Sequence, residues 1–96
     1  MFSLLARFRV VGHSMEPFLK NGQTVLASPI PYIFLKPKVG DVAVFKYKGK
    51  TYIKRISKIK SDSCFLEGDN IKDSFDSKKI GWISRQQIIG KVVYKF

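Results

Sequence analysis

Asp41-Val42-Ala43-Val44-Phe45-Lys46-Tyr47-Lys48-Gly49-Lys50-Thr51-Tyr52-Ile53-Lys54-Arg55-Ile56-Ser57-Lys58-Ile59 is the stretch that decides the fold. Two runs rich in β-branched and aromatic residues flank Lys48-Gly49-Lys50, a tight hairpin signal. Residues 41–48 and 51–59 therefore read as paired antiparallel strands. In the second run, strand alternation puts Tyr52, Lys54 and Ile56 on one face. Outward from this hairpin, residues 64–67 and 88–94 continue the pattern toward the C-terminus, and 24–28 and 7–11 toward the N-terminus. Asn21-Gly22 and Gly68-Asp69-Asn70 are further turn signals. A single helical turn is expected over 15–20, and no stretch sustains helical periodicity beyond two turns. Residues 28–39, with three of the four prolines, are the one looser segment. The reading is all-β: a small, strongly curved sheet or partial barrel, in one domain covering residues 1–96.

Composition bounds the function. The 96 residues leave room for one modest core, and 45% hydrophobic with 26% charged residues are globular proportions. The formal net charge of +11 suits an anionic lipid surface, a polyanion or an acidic partner, but the cations are spread from Arg7 to Lys95 as on a solvated strand surface. Cys64 is the single cysteine, which excludes an internal disulfide and a thiolate zinc site. It reads as a buried small hydrophobe. Residues 1–6 are apolar but end at Arg7, far short of the roughly twenty residues a membrane-spanning helix needs. The chain as given is expected to be soluble, to lie on a membrane surface, or to lack an anchor.

One histidine narrows the chemistry. His13 is adjacent to Ser14, and neighbouring side chains on an extended chain point apart, so a Ser-His-Asp triad is disfavoured and His13 reads as an exposed loop residue. Multi-histidine metal sites are excluded, the acidic residues show no ligand spacing, and neither metal nor cofactor is expected. A serine can otherwise be activated by a neutral lysine. Free lysine has a pKa of about 10.4 and is charged at neutral pH. Burial can lower that value by ~3–5. Lys54, between Tyr52 and Ile56, is the candidate, although strand lysines commonly extend to water.

Val11-Gly12-His13-Ser14-Met15-Glu16-Pro17-Phe18-Leu19, then Asn21-Gly22 and Val25-Leu26, resembles the nucleophile box of signal peptidase I. Lys38-Val39-Gly40-Asp41-Val42-Ala43-Val44-Phe45 is similar to the family's following Gly-Asp box, and Tyr52-Ile53-Lys54-Arg55-Ile56 to its lysine box. Gly68-Asp69-Asn70 with Ser74, Asp76, Ser77 and Lys78 resembles the final box, and Ile89-Gly90-Lys91-Val92 the strand after it. Four boxes in order over most of the chain make the resemblance specific. It implies the signal peptidase/LexA-like catalytic fold and a serine endopeptidase with a Ser-Lys dyad. In that scheme Ser14 is the nucleophile, Lys54 the general base, and Ser74 a hydroxyl that orients the lysine amine. Asp76 would give structural support by pairing with Lys78 or Arg55, and the Ser14 N–H would be an oxyanion donor. Gly12 stands where some relatives have a second, hydroxyl donor. The substrate would be a signal peptide or a dedicated precursor, cleaved after small residues in an Ala-X-Ala pattern. Met15, Leu19, Tyr52 and Ile53 would line the pockets, and the same four suit ordinary core packing.

The resemblance also implies membrane association with an extracytoplasmic active site. The apolar run 30–35, with Lys36 and Lys38 beside it, suits an anionic bilayer surface as well as a core or partner contact. Residues 55–67 leave no room for an inserted second domain, so the expectation is a minimal catalytic core. A LexA-like self-cleaving domain shares the Ser-Met start and the Gly-Asp turn. It lacks the box around Gly68-Asp69-Asn70, and no DNA-binding helices accompany it here. A basic β-barrel that stacks single-stranded nucleic acid on its aromatics is the reading from another class. It leaves the serine and Gly-Asp-Asn boxes unexplained.

Overall fold

The structure, a computed structural model, describes residues 4–70 and 77–96. The hairpin at its centre forms as the sequence predicts. β3 (Val42–Tyr47) pairs antiparallel with β4 (Lys50–Lys60), in register from Val42↔Arg55 to Tyr47↔Lys50. The two turn residues both take positive φ, 49° at Lys48 and 79° at Gly49, which a two-residue hairpin following the right-handed strand twist requires. β1 (Ala6–Arg9), β2 (Thr24–Ser28), β5 (Ser63–Glu67), β6 (Ile83–Ser84) and β7 (Ile88–Lys95) complete a seven-stranded sheet in the order β1-β2-β7-β3-β4-β5-β6. All its pairings are antiparallel. The fold is all-β, and the sheet does not close: β1 and β6 are its edges.

Curvature comes from three register shifts, at Leu26/Ala27, Val44/Phe45 and Ile56/Lys58. Such irregularities bend a strand and increase its twist. At the last of them Ser57 falls between paired residues, and its hydroxyl donates to the Phe65 carbonyl at 3.0 Å.

The curled sheet divides the core in two. Ala43, Phe45, Ile56, Cys64, Leu66, Ile80 and Ile83 form one cluster, with Tyr52 packed against it. Val10, Met15, Leu19, Val25 and Val42 form the other, joined by Phe8 and Ile53. β3 lies between β7 and β4 and feeds both clusters, so Val42–Phe45 is buried without a break. That explains why it reads as a continuous apolar run rather than an alternating one. The valine and phenylalanine side chains there each contribute about 1.5–3 kcal/mol by leaving water.

Three local elements differ from the sequence expectation. The looser segment contains a short helix, α1 (Ile30–Phe34), opened by prolines and tied down by Arg85, whose guanidinium donates to the Tyr32 carbonyl at 2.9 Å. Residues 61–62 make a second two-residue hairpin turn, with Ser61 at φ 53° although no glycine marks it. β6 has only two residues. It follows α2 (Ser77–Ile80) and precedes a single 3-10 turn over Arg85–Gln87, which Ser84 and Gln87 cap reciprocally. The turn expected over 15–20 is represented by one bond, the Leu19 N–H to the Met15 carbonyl at 2.9 Å.

Candidate active site

Ser14 lies on the loop that leaves β1, and three sets of contacts hold that loop. Met15 and Leu19 are 1% and 0% exposed and pin it into the second core cluster. The Gly12 N–H donates to Asn21 Oδ1 at 2.8 Å, while Gly12 itself has φ +92°, a conformation suited to glycine. The third set comes from the turn after β5. The Asn70 N–H donates to the Ser14 carbonyl at 2.8 Å, and Asn70 Nδ2 donates to the His13 carbonyl at 3.1 Å.

Asp69, next to that clamp, is fixed in turn by β4. Arg55 Nε and Nη2 each donate to an Asp69 carboxylate oxygen at 2.9 Å, and Arg55 Nη1 donates to the Gly40 carbonyl at 2.8 Å. The Asp69 hydrogen bond raises the Arg55 pKa above its ordinary value, against the opposing effect of burial. The guanidinium also lies 4.9 Å from the centre of the Phe18 ring. A continuous set of contacts thus runs from the Ser14 loop through Asn70 and Asp69 to Arg55, and back to the same loop at Phe18.

Lys54 precedes Arg55 on β4 and is 2% exposed, one of two buried polar or charged residues among those described. Its Nζ reaches Ser14 Oγ at 3.3 Å. Ser14 and Lys54 are forty residues apart in the chain and meet because the curled sheet brings β4 across from the end of β1. A cavity of about 190 Å³ opens beside them, walled by residues 8–11, Ser14, Met15 and residues 51–54. The β1 edge at this cavity is open among the described residues. Among the described residues β1 pairs only with β2, and the pairing of β5 with β4 begins at Arg55.

Of the four residues expected to line pockets, Met15, Tyr52 and Ile53 reach this cavity. Leu19 does not; it is core. Tyr52 also stacks on Phe45, with ring centres 5.6 Å apart, so it serves the core and the cavity wall together. His13 is exposed and its Nδ1 lies 2.7 Å from Glu16 Oε2. Ser74 and Asp76 lie outside the described residues, as does the side chain of Lys78 in α2. Arg55, which the sequence offers as one partner for Asp76, gives its fork to Asp69. Among the described residues no group of three or more His, Cys, Asp or Glu side chains could hold a metal ion. No helix among them is long and apolar enough to cross a membrane.

Asp69 and Asn70 are functional candidates that the turn motif Gly68-Asp69-Asn70 does not by itself reveal. The signal available was the turn itself, a short polar break that carries a carboxylate and an amide back toward the preceding strand. Two comparisons with known proteins bear on the result. No curated protein matches the chain. The model of the family described as signal peptidase, peptidase S26, matches residues 1–57 and 56–96. With that match spanning the loop that carries Ser14, the strand that carries Lys54 and the closing strand, the chain belongs to the signal peptidase family, peptidase S26, and is a signal-peptidase-like serine protease.

Proposed function

We propose that Ser14 and Lys54 form the catalytic dyad of an endopeptidase that cleaves signal peptides or a dedicated precursor after small residues. The observation that carries this is the buried Lys54 amine 3.3 Å from Ser14 Oγ on the wall of a cavity. Burial disfavours an ammonium ion, and a neutral amine is what a general base must be. Ser14 Oγ attacks the scissile carbonyl carbon as its proton passes to Lys54. The tetrahedral intermediate collapses to an ester on Ser14, and Lys54 gives the proton to the departing amine. Lys54 then takes a proton from water, the hydroxide attacks the ester, and the acid product leaves as Ser14 regains its hydrogen. The Ser14 N–H is the proposed donor to the developing oxyanion, and Ser74 the proposed hydroxyl that orients the amine.

The open β1 edge supports an extended substrate. Four successive antiparallel pairings, β1-β2-β7-β3-β4, give β1 and β4 the same direction. One peptide strand laid between them can therefore run antiparallel to both. Its inward side chains meet Phe8, Met15, Tyr52 and Ile53, and so much bulk in about 190 Å³ favours alanine-sized residues. Ile33, Phe34 and Leu35 are 59%, 79% and 59% exposed beside Lys36 and Lys38, which supports contact of this end of the molecule with an anionic bilayer surface.

The test is cleavage of a precursor with an Ala-X-Ala site by wild type, Ser14→Ala and Lys54→Met, with folding checked by circular dichroism. Cleavage by wild type alone is expected. Near-full activity in a folded Lys54→Met protein would remove the dyad.

A further inference from the structure

Resting on that dyad reading, we infer that Arg9 selects an acidic side chain at the second residue before the scissile bond. β1 alternates in burial: Phe8 packs toward the second core cluster, as Val10 does just beyond the strand, while Arg7 and Arg9 are exposed. The backbone of this segment is also a wall of the cavity and an open strand edge. A peptide along that edge alternates with the same period of two. Its first and third residues before the scissile bond face the cavity, on the side of Phe8 and Val10. The second then faces outward, on the side of Arg9.

The charge around the groove is one-sided. Among the described residues lining the cavity, Arg9 and Lys54 are cationic and none is acidic. Lys54 is buried and engaged with Ser14. Arg9 takes part in no ion pair among the described residues, which leaves its guanidinium available to a ligand. Oppositely charged side chains on adjacent strands attract, and like charges repel. The pair is exposed, so the effect is modest: about 2- to 5-fold in kcat/KM for a carboxylate over a neutral amide, with a similar loss for a cation. Salt should compress it.

The experiment uses three otherwise identical peptides with Ala-Glu-Ala, Ala-Gln-Ala and Ala-Lys-Ala before the cleaved bond. Each is assayed with wild type, Arg9→Lys and Arg9→Glu at low and high salt. Wild type and Arg9→Lys should cleave in the order Glu, Gln, Lys, with the spread narrowing at high salt, and Arg9→Glu should reverse the order. Equal kcat/KM for the three peptides with cleavage still dependent on Ser14 overturns the role of Arg9 and leaves the dyad standing. An order that survives Arg9→Glu also overturns it. Failure of folded wild type to cleave any of the three overturns the dyad reading, and the selectivity falls with it.

Discussion

Replacing Asp69 with asparagine tests whether the contacts behind the nucleophile loop control chemistry or only stability. The carboxylate accepts two bonds from Arg55 at 2.9 Å each. An asparagine can accept at most one, and its NH2 group then faces a guanidinium N–H, donor against donor. Bonds to charged groups contribute about 1.5–3 kcal/mol when well shielded. Here Arg55 and Asp69 side chains are 34% and 21% exposed. With that exposure a discounted loss of about 1–2 kcal/mol is reasonable. For a domain of this size each kcal/mol lowers the thermal midpoint by about 4–8 °C. The catalytic consequence depends on how the loss is distributed. If the turn at 68–70 slackens as a unit, Asn70 loses its hold on the Ser14 and His13 carbonyls. The whole loss would then appear as misplacement of Ser14, equivalent to a roughly 5- to 30-fold fall in kcat/KM. The assay is peptide cleavage beside thermal unfolding for Asp69→Asn, Arg55→Met and the double variant. The two single variants should lower kcat/KM comparably, and the double should add little, because both remove one interaction. A lowered midpoint with kcat/KM unchanged would refute the argument: the pair would then stabilise the fold without placing the nucleophile.

Two further outcomes follow from the fold. A Cβ on Gly90 would lie 2.8 Å from the Ser28 carbonyl oxygen and 2.9 Å from its carbon, both backbone atoms of the paired strand, so Gly90→Ala should cost about 1–3 kcal/mol and an unchanged urea midpoint would contradict it. Burial pushes the Cys64 thiol above its ordinary range, and burial with the Asp41 hydrogen bond does the same to the Tyr32 phenol. As pH rises past about 8.5 the unfolded thiol loses its proton first, so the unfolded state binds fewer protons and stability falls. Urea midpoints of wild type should therefore decline from about pH 8.5 upward, and Cys64→Ala should show a shallower decline. Identical slopes would remove the thiol from the account.

Much of the architecture was legible because strand period and turn chemistry are local. The 41–59 hairpin is specified by two runs rich in β-branched and aromatic residues and by Gly49 at φ 79°, and the structure moves its strand ends by one residue at most. The elements that escaped carry little local signal. α1 has five residues and two β6, too few for any period to show. The turn at Ser61-Asp62 has no glycine; its geometry is imposed by the strands on either side, which are held in register by Ile56↔Leu66 and Ile59↔Cys64. Tertiary packing overrides the weak preference of a serine against φ 53°.

The candidate site divides along a different line, between the identity of a residue and its surroundings. Elimination works on residue types: one histidine, one cysteine and no ligand cluster leave a lysine to activate a serine, which makes Lys54 a candidate, whereas Ser14 is marked out by the resemblance of residues 11–19 to the signal peptidase nucleophile box. The face of Lys54 followed from alternation with Tyr52 and Ile56, and its burial at 2% follows from that face. Direction on a loop has no such rule. Leu19 and Met15 both follow Ser14 closely and both are apolar, yet Met15 reaches the cavity and Leu19 only the core. The partner of Arg55 was equally open, since a guanidinium on β4 can meet any carboxylate that the later turns bring back. Asp69 is fourteen residues on and Asn70 reaches His13 across fifty-seven, distances that only the curled sheet closes. The support of the Ser14 loop is therefore non-local by construction: it is made where the turn after β5 returns to the loop after β1. A change at Asp69 should consequently affect Ser14 more than its distance in sequence suggests.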